Sequence, residues 1–193
     1  MSTVRWGILS TADIGMVKVT PAIQRADNCE VVAIASRNAD RAASAAAQLG
    51  IPTTYGSYEE LLAADDIDAV YIPLPNDLHA EWTINAAPAG NHILCEKPLG
   101  MTAAEARSMA AACDNAGVKL AEAFMYRHHP SWVEARRLVD DGAIGSLQAV
   151  QSWFSYFNDD PTNIRNRMEN GGGAIMDIGC YNINLSRMLF GSE

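Results

Sequence analysis

The chain has 193 residues, 49% hydrophobic and 19% charged, a composition that supports a sizeable globular core. Its formal net charge is −9 and no Lys/Arg cluster occurs, which excludes a nucleic-acid-binding role by charge. The four cysteines (Cys29, Cys95, Cys113, Cys180) are far apart, so neither a zinc site nor a disulfide framework is expected.

Residues 4–9 read as a first strand, followed by the turn Ser10-Thr11-Ala12-Asp13-Ile14-Gly15 and a helix to about residue 25. A buried strand at 30–35 leads into an alanine-rich helix over 39–49, stopped by Gly50. A short strand at 53–55 precedes a helix near Ser57, where Glu60 completes a capping box. Residues 68–73 form a fourth strand, and a helix over 77–87 is broken by Pro88 and Gly90. The fifth strand, 92–95, runs into Glu96-Lys97-Pro98; Thr102 and Glu105 cap the next helix, and 118–123 is the sixth strand. Strands alternating with helices of this length predict a doubly wound parallel sheet, an α/β dinucleotide-binding (Rossmann) domain over residues 1–122.

After Phe124 the pattern changes. A helix is predicted over 130–140, one long aromatic-rich strand over 146–157, a polar loop over 158–170, then Gly171-Gly172-Gly173 and a final helix over 174–190. A long strand with no later partner is marginal. Residues 123–193 are therefore expected to be a partial second domain. The N-terminus shows no leader pattern and no apolar run approaches membrane-spanning length, so a cytoplasmic protein without membrane contact is expected.

The first strand-turn-helix is where a pyrophosphate would sit, over the amino end of a helix. Gly7, Ser10, Thr11, Ala12 and Ile14 form a degenerate version of the glycine fingerprint. Ser and Ala are small, although neither replaces glycine at positive φ; an ordinary tight turn remains the alternative. The second strand ends in Ser36-Arg37, with Arg41 one turn on. A hydroxyl and a planar guanidinium suit a 2′-phosphate, predicting NADP in preference to NAD, unless Arg37 merely caps the following helix.

Three strand ends converge on one rim: Pro73-Leu74-Pro75-Asn76, Glu96-Lys97-Pro98 and the segment 122–128. Glu96 offers Lys97 a counter-charge. His79 is either a pocket residue or a capping and packing histidine. Asp177 and Tyr181 share a face of the last helix. Lys97 and Tyr181 together could move a proton on or off an alcohol while hydride passes to a nicotinamide. A buried aromatic and a helix-dipole partner are the plainer readings of Tyr181 and Asp177.

Gly7-x-x-Ser10, Pro75-Asn76-x-x-His79, Glu96-Lys97-Pro98, Asn163-Ile164-Arg165 and the run from Gly171 to Tyr181 occur in the order found in the glucose–fructose oxidoreductase/inositol dehydrogenase/rhizopine catabolism (Gfo/Idh/MocA) family, which the chain resembles over nearly its whole length. The resemblance implies a Rossmann domain followed by an α/β domain on an open antiparallel sheet. It implies NAD(P)-dependent oxidation or reduction of sugars, polyols and diols. It makes Lys97 the catalytic lysine and Pro98 a cis proline. Tyr181 stands where many members have histidine, as in the dihydrodiol and D-xylose dehydrogenase-type branch. Asn163, Arg165 and Asp177 become substrate-pocket residues by resemblance alone. Full-length members continue past residue 193 and are expected to be homo-oligomers, so the chain reads as truncated. A non-catalytic NADP(H)-binding regulator or an inactive fragment is the alternative.

Overall fold

The computed structural model describes residues 2–191. The chain divides into two units, Met1–Glu122 and Ala123–Glu193.

The first unit is built on six parallel strands, β1 Val4–Leu9, β2 Cys29–Ala35, β3 Thr53–Tyr55, β4 Ala69–Ile72, β5 His92–Cys95 and β6 Leu120–Glu122, in the order β3-β2-β1-β4-β5-β6. The order reverses between β1 and β4, which leaves a crevice at their carboxyl ends. Between the strands run α1 Thr20–Gln24, α2 Ala39–Leu49, α3 Tyr58–Leu62, α4 His79–Ala86 and α5 Ala103–Ala116. A π-helical turn, Gly15–Val19, leads into α1, and a 3-10 turn, Asn76–Leu78, into α4.

Both sheet faces are covered, so strand side chains alternate between two cores. Leu9, Ala33, Ala35, Val70 and Ile72 pack with Leu61 of α3, Trp82 of α4 and Met109 of α5. Ile8, Ile34 and Tyr71 turn the other way, onto Ile23 of α1 and Ala45 and Ala46 of α2.

Helix starts follow the predicted chemistry with one difference. Ser57 Oγ accepts from Glu60 N and Thr102 Oγ1 from Glu105 N. The two carboxylates reach one residue further back than in the usual box, to Gly56 N at 3.0 Å and Met101 N at 2.8 Å. Gly50 and Gly117 close α2 and α5 in the left-handed conformation, with φ of 67° and 70°.

Arg5 of β1 grips Asp68, just before β4. Its backbone N–H donates to Oδ2 at 2.8 Å, Nε to the same oxygen at 3.0 Å, and Nη2 to Oδ1 at 2.8 Å. These hydrogen bonds hold the Asp68 carboxyl down at about 2. The folded value lies below the unfolded one, so this stabilisation is present above about pH 4 and is lost as pH falls through about 2. Both side chains are more than a third exposed, at 39% and 37%, so solvent screening limits the effect to about 1 kcal/mol. Asp68→Asn is expected to cost that much at pH 7 in urea unfolding, with the gap to the parent shrinking by pH 2.5.

The second unit contains α6 Pro130–Asp140 and α7 Cys180–Phe190, the latter preceded by a π-helical turn, Ile175–Gly179. No strand forms among its described residues. Residues 146–157, predicted as a strand, run without a ladder, because backbone N–H and C=O groups need a neighbouring strand that this unit lacks among those residues. Phe124, Tyr126 and Met188 form its small core, with Tyr181 and Leu185 packed against it. Among the described residues of the chain, no helix is long and apolar enough to cross a membrane.

Candidate active site

At the carboxyl end of β1, Ser10 takes φ of 137°, a conformation that L side chains rarely adopt. This corrects the expectation that serine could not stand in for glycine there. Two hydrogen bonds hold it: Oγ donates to the Pro73 carbonyl at 3.3 Å and accepts from Ala12 N at 3.1 Å. The first ties the β1 and β4 ends together across the crevice, and the second fixes the turn itself. Gly7, expected at the cofactor, is instead a packing glycine inside β1. A Cβ there would lie 2.8 Å from Leu61 Cδ2 and 3.1 Å from Ile67 Cδ1. Gly15 serves close packing of the first helix, its missing Cβ lying 3.3 Å from Pro73 Cγ. Thr11 and Ala12 are half-buried and Ile14 is exposed on the turn.

At the end of β2, Ser36 is buried and its Oγ accepts from Asn38 N at 3.2 Å. Asn38, not Arg37, caps α2, through Arg41 N at 3.0 Å. Arg37 and Arg41 are both exposed. Burial pushes the Tyr58 phenol above its ordinary range, and the Arg37 guanidinium beside it pulls the other way. The crevice therefore carries a strained serine turn at one strand end and an accessible guanidinium at the next. That donor set fits a phosphorylated dinucleotide.

The turn after β5 is clamped from three directions. The Tyr71 hydroxyl donates to Glu96 Oε1 at 2.6 Å, Leu99 N donates to Glu122 Oε1 at 2.7 Å, and the Pro98 carbonyl lies 2.8 Å from His79 Nδ1. Glu96 Oε2 also accepts from Lys97 N at 3.4 Å. The Lys97–Pro98 peptide is cis, as the resemblance implied. Lys97 is half-buried on this fixed turn. Leu74 is a core residue whose carbonyl lies 2.8 Å from His79 Nε2, and Asn76 opens the 3-10 turn before α4. His79 is fully buried with both ring nitrogens at carbonyls, which favours the packing reading over the pocket one.

In the second unit, Asp177 and Tyr181 lie one turn apart. Arg165 Nε donates to Asp177 Oδ1 at 3.2 Å, and the Tyr156 hydroxyl donates to Asp177 Oδ2. That bond is the main reason the Tyr156 phenol titrates above its ordinary value. Asp177 is thus a fixed acceptor with a donor on each oxygen. The Tyr181 ring meets Phe124, Phe154 and Tyr126, with centroids at 5.3, 5.8 and 5.9 Å. Phe154 and Tyr156, two apart, both dock on the last helix region, so side chains hold the ladderless segment in place. Tyr156 was not singled out in the sequence; its alternation with Phe154 was the available signal. Asn163 spends its side-chain oxygen capping a 3-10 turn, accepting from Arg165 N at 3.0 Å. Gly172 leaves room for the chain's own backbone. A Cβ there would lie 2.6 Å from the Arg165 carbonyl and 2.7 Å from that of Arg167.

The chain matches the family model described as "Oxidoreductase family, NAD-binding Rossmann fold" over residues 4–124, and the GFO/IDH/MocA C-terminal domain over residues 132–193. It is 49% identical to D-xylose 1-dehydrogenase (NADP(+)) 2 of Haloferax volcanii, over 97% of this chain and 57% of that protein. It is 35% identical to trans-1,2-dihydrobenzene-1,2-diol dehydrogenase of Xenopus laevis, over 98% of this chain and 57% of that one. The crystal structure of KijD10, a 3-ketoreductase from Actinomadura kijaniata, in complex with NADP and TDP-benzene, superposes with a TM-score of 0.91 at 37% identity, covering 98% of this chain and 58% of that chain. The chain thus spans a little over half the length of these relatives. It belongs to the Gfo/Idh/MocA family of oxidoreductases.

Proposed function

We propose that this chain carries the cofactor-binding and proton-transfer residues of an NADP(H)-dependent oxidoreductase that acts on an alcohol or carbonyl of a sugar, polyol or cyclic diol. The observation that carries this reading is the clamped turn holding Lys97 at the carboxyl rim of the parallel sheet. Ligands of doubly wound folds bind at that rim.

When bound, NADP(H) would accept or supply the hydride. Arg37, with Arg41 a turn away, would hold the 2′-phosphate, and the Ser10–Ala12 turn would offer backbone to the pyrophosphate. Lys97 would polarise the reacting oxygen, and Tyr181 would give or take the hydroxyl proton. Arg165 and Tyr156 would hold Asp177 fixed as an acceptor for a substrate hydroxyl. The NADP dependence of the Haloferax relative and the NADP in the KijD10 complex support this cofactor. The sugar and diol names of the relatives support the substrate class. A homo-oligomer is proposed for the full-length protein.

Titration with NADPH and NADH, followed by nicotinamide fluorescence at fixed salt, tests the reading. Saturable NADPH binding with weaker NADH binding is expected, and a screen of aldoses and diols then identifies the substrate. Folded protein that binds neither nucleotide would overturn it.

A further inference from the structure

His79, the first residue of α4, makes more contacts than its neutral form can satisfy. The side chain is 0% exposed, so no water supplies an alternative. Nδ1 lies 2.8 Å from the Pro98 carbonyl and Nε2 lies 2.8 Å from the Leu74 carbonyl. Both partners are carbonyl oxygens, which only accept. A neutral imidazole has one N–H and one lone pair, so in either tautomer one of these contacts sets lone pair against lone pair. Only the imidazolium, with two N–H groups, makes both hydrogen bonds.

We propose that His79 is a positioning residue whose protonated ring staples the Leu74 segment after β4 to the Pro98 turn after β5, and whose neutral form lets go of one of them. The staple joins the two strand ends that carry Asn76 and Lys97. Its effect on cofactor binding rests on the function proposed above; the staple itself does not.

The charged groups that act on the ring are Glu96, on the stapled turn, and Asp77, on the 3-10 turn, and both favour the imidazolium. Burial opposes them and is the larger influence, so His79 titrates below the usual 6.5. The sign follows. Charging this ring costs global stability as pH falls below 6.5, because the folded value is the lower one, yet the same charging completes the staple. The doubly tied rim is therefore the form on the acid side of the His79 titration, which lies below the usual 6.5. Raising the pH through the His79 titration frees one carbonyl.

The test is a titration of the ¹⁵N-histidine-labelled chain from pH 4.5 to 8, with His79 assigned by its loss in His79→Gln. Both ring nitrogens are expected to be protonated at the acid end. The amides of Asn76 and Leu99 should shift with the same midpoint as the ring. NADPH affinity should fall about three- to tenfold across that midpoint in the parent, the size of one lost hydrogen bond, and lose this dependence in His79→Gln. A ring that keeps one bare nitrogen throughout overturns the proposal, as do loop amides that ignore the ring's titration. If His79→Gln fails to fold, the parent's titration still decides, with assignment through a ring-to-Leu99 amide contact. If no nucleotide binds, the cofactor reading fails while the ring and amide signals still judge the staple.

Discussion

Lys97→Ala is expected to lower turnover of an aldose or diol by about a thousandfold while leaving NADPH affinity within a few-fold of the parent. A positioned acid, base or charge stabilising developing charge supplies about two to four orders of magnitude, and this ammonium is proposed to act on the reacting oxygen itself. The separation of binding from turnover follows from how the turn is built. Tyr71 holds Glu96, Glu122 holds the Leu99 amide and His79 meets the Pro98 carbonyl, three contacts made by groups other than the Lys97 side chain. Truncating that side chain removes the charge and leaves the turn's scaffold. Steady-state rates beside a fluorescence titration check both halves. A variant with undiminished turnover would remove Lys97 from the chemistry, and a variant that also lost NADPH would recast it as a cofactor ligand.

The second large effect concerns Arg37. Arg37→Ala is expected to weaken NADPH binding by about ten- to a hundredfold and to leave NADH binding almost unchanged. Charge-assisted hydrogen bonds to a phosphate contribute about 1.5–3 kcal/mol, which corresponds to that range. The guanidinium stands exposed at the carboxyl end of β2, and the task of capping α2 falls to Asn38. Its removal therefore spares the helix start. Parallel titrations with the two nucleotides read the result. Equal loss for both would mean that Arg37 contacts the shared part of the cofactor; no loss for either would move the 2′-phosphate reading to Arg41 or elsewhere.

Much of the first unit was legible because buried parallel strands are nearly continuous apolar runs and the helices between them carry local caps. β1, β3 and β5 coincide with the predicted strands, while β4 and β6 are shorter at both ends. In 68–73, Asp68 is drawn to Arg5 and Pro73 has no N–H for the ladder. The second unit was less legible for a physical reason. Residues 146–157 have strand-like composition, but a strand is a property of a pair, and here Phe154 and Tyr156 dock by side chains instead.

Within the candidate site, residue type was read more readily than residue task. The Lys97–Pro98 peptide is cis as expected, but Gly7 serves packing against Leu61, and His79 faces two carbonyls inside the protein. Ser10 at positive φ runs against serine's own preference and is imposed by the tie to Pro73. No local pattern announces a tertiary tie of that kind.

The anchors of the Lys97 turn also differ in how far they reach along the chain. On its carboxyl side, Met101 N meets Glu105 over a separation of 4 residues, a contact that can form with the first turn of α5 alone. The other anchors span 19 residues to His79, 23 to Glu122 and 25 to Tyr71. Closing those larger loops carries more chain entropy and requires β4, β5 and β6 to be side by side. The helix behind the turn can thus be nucleated early, whereas the turn itself acquires its shape only when the far edge of the sheet is in place. Assembly of the candidate catalytic lysine is in this sense a late reporter of folding of the nucleotide-binding half.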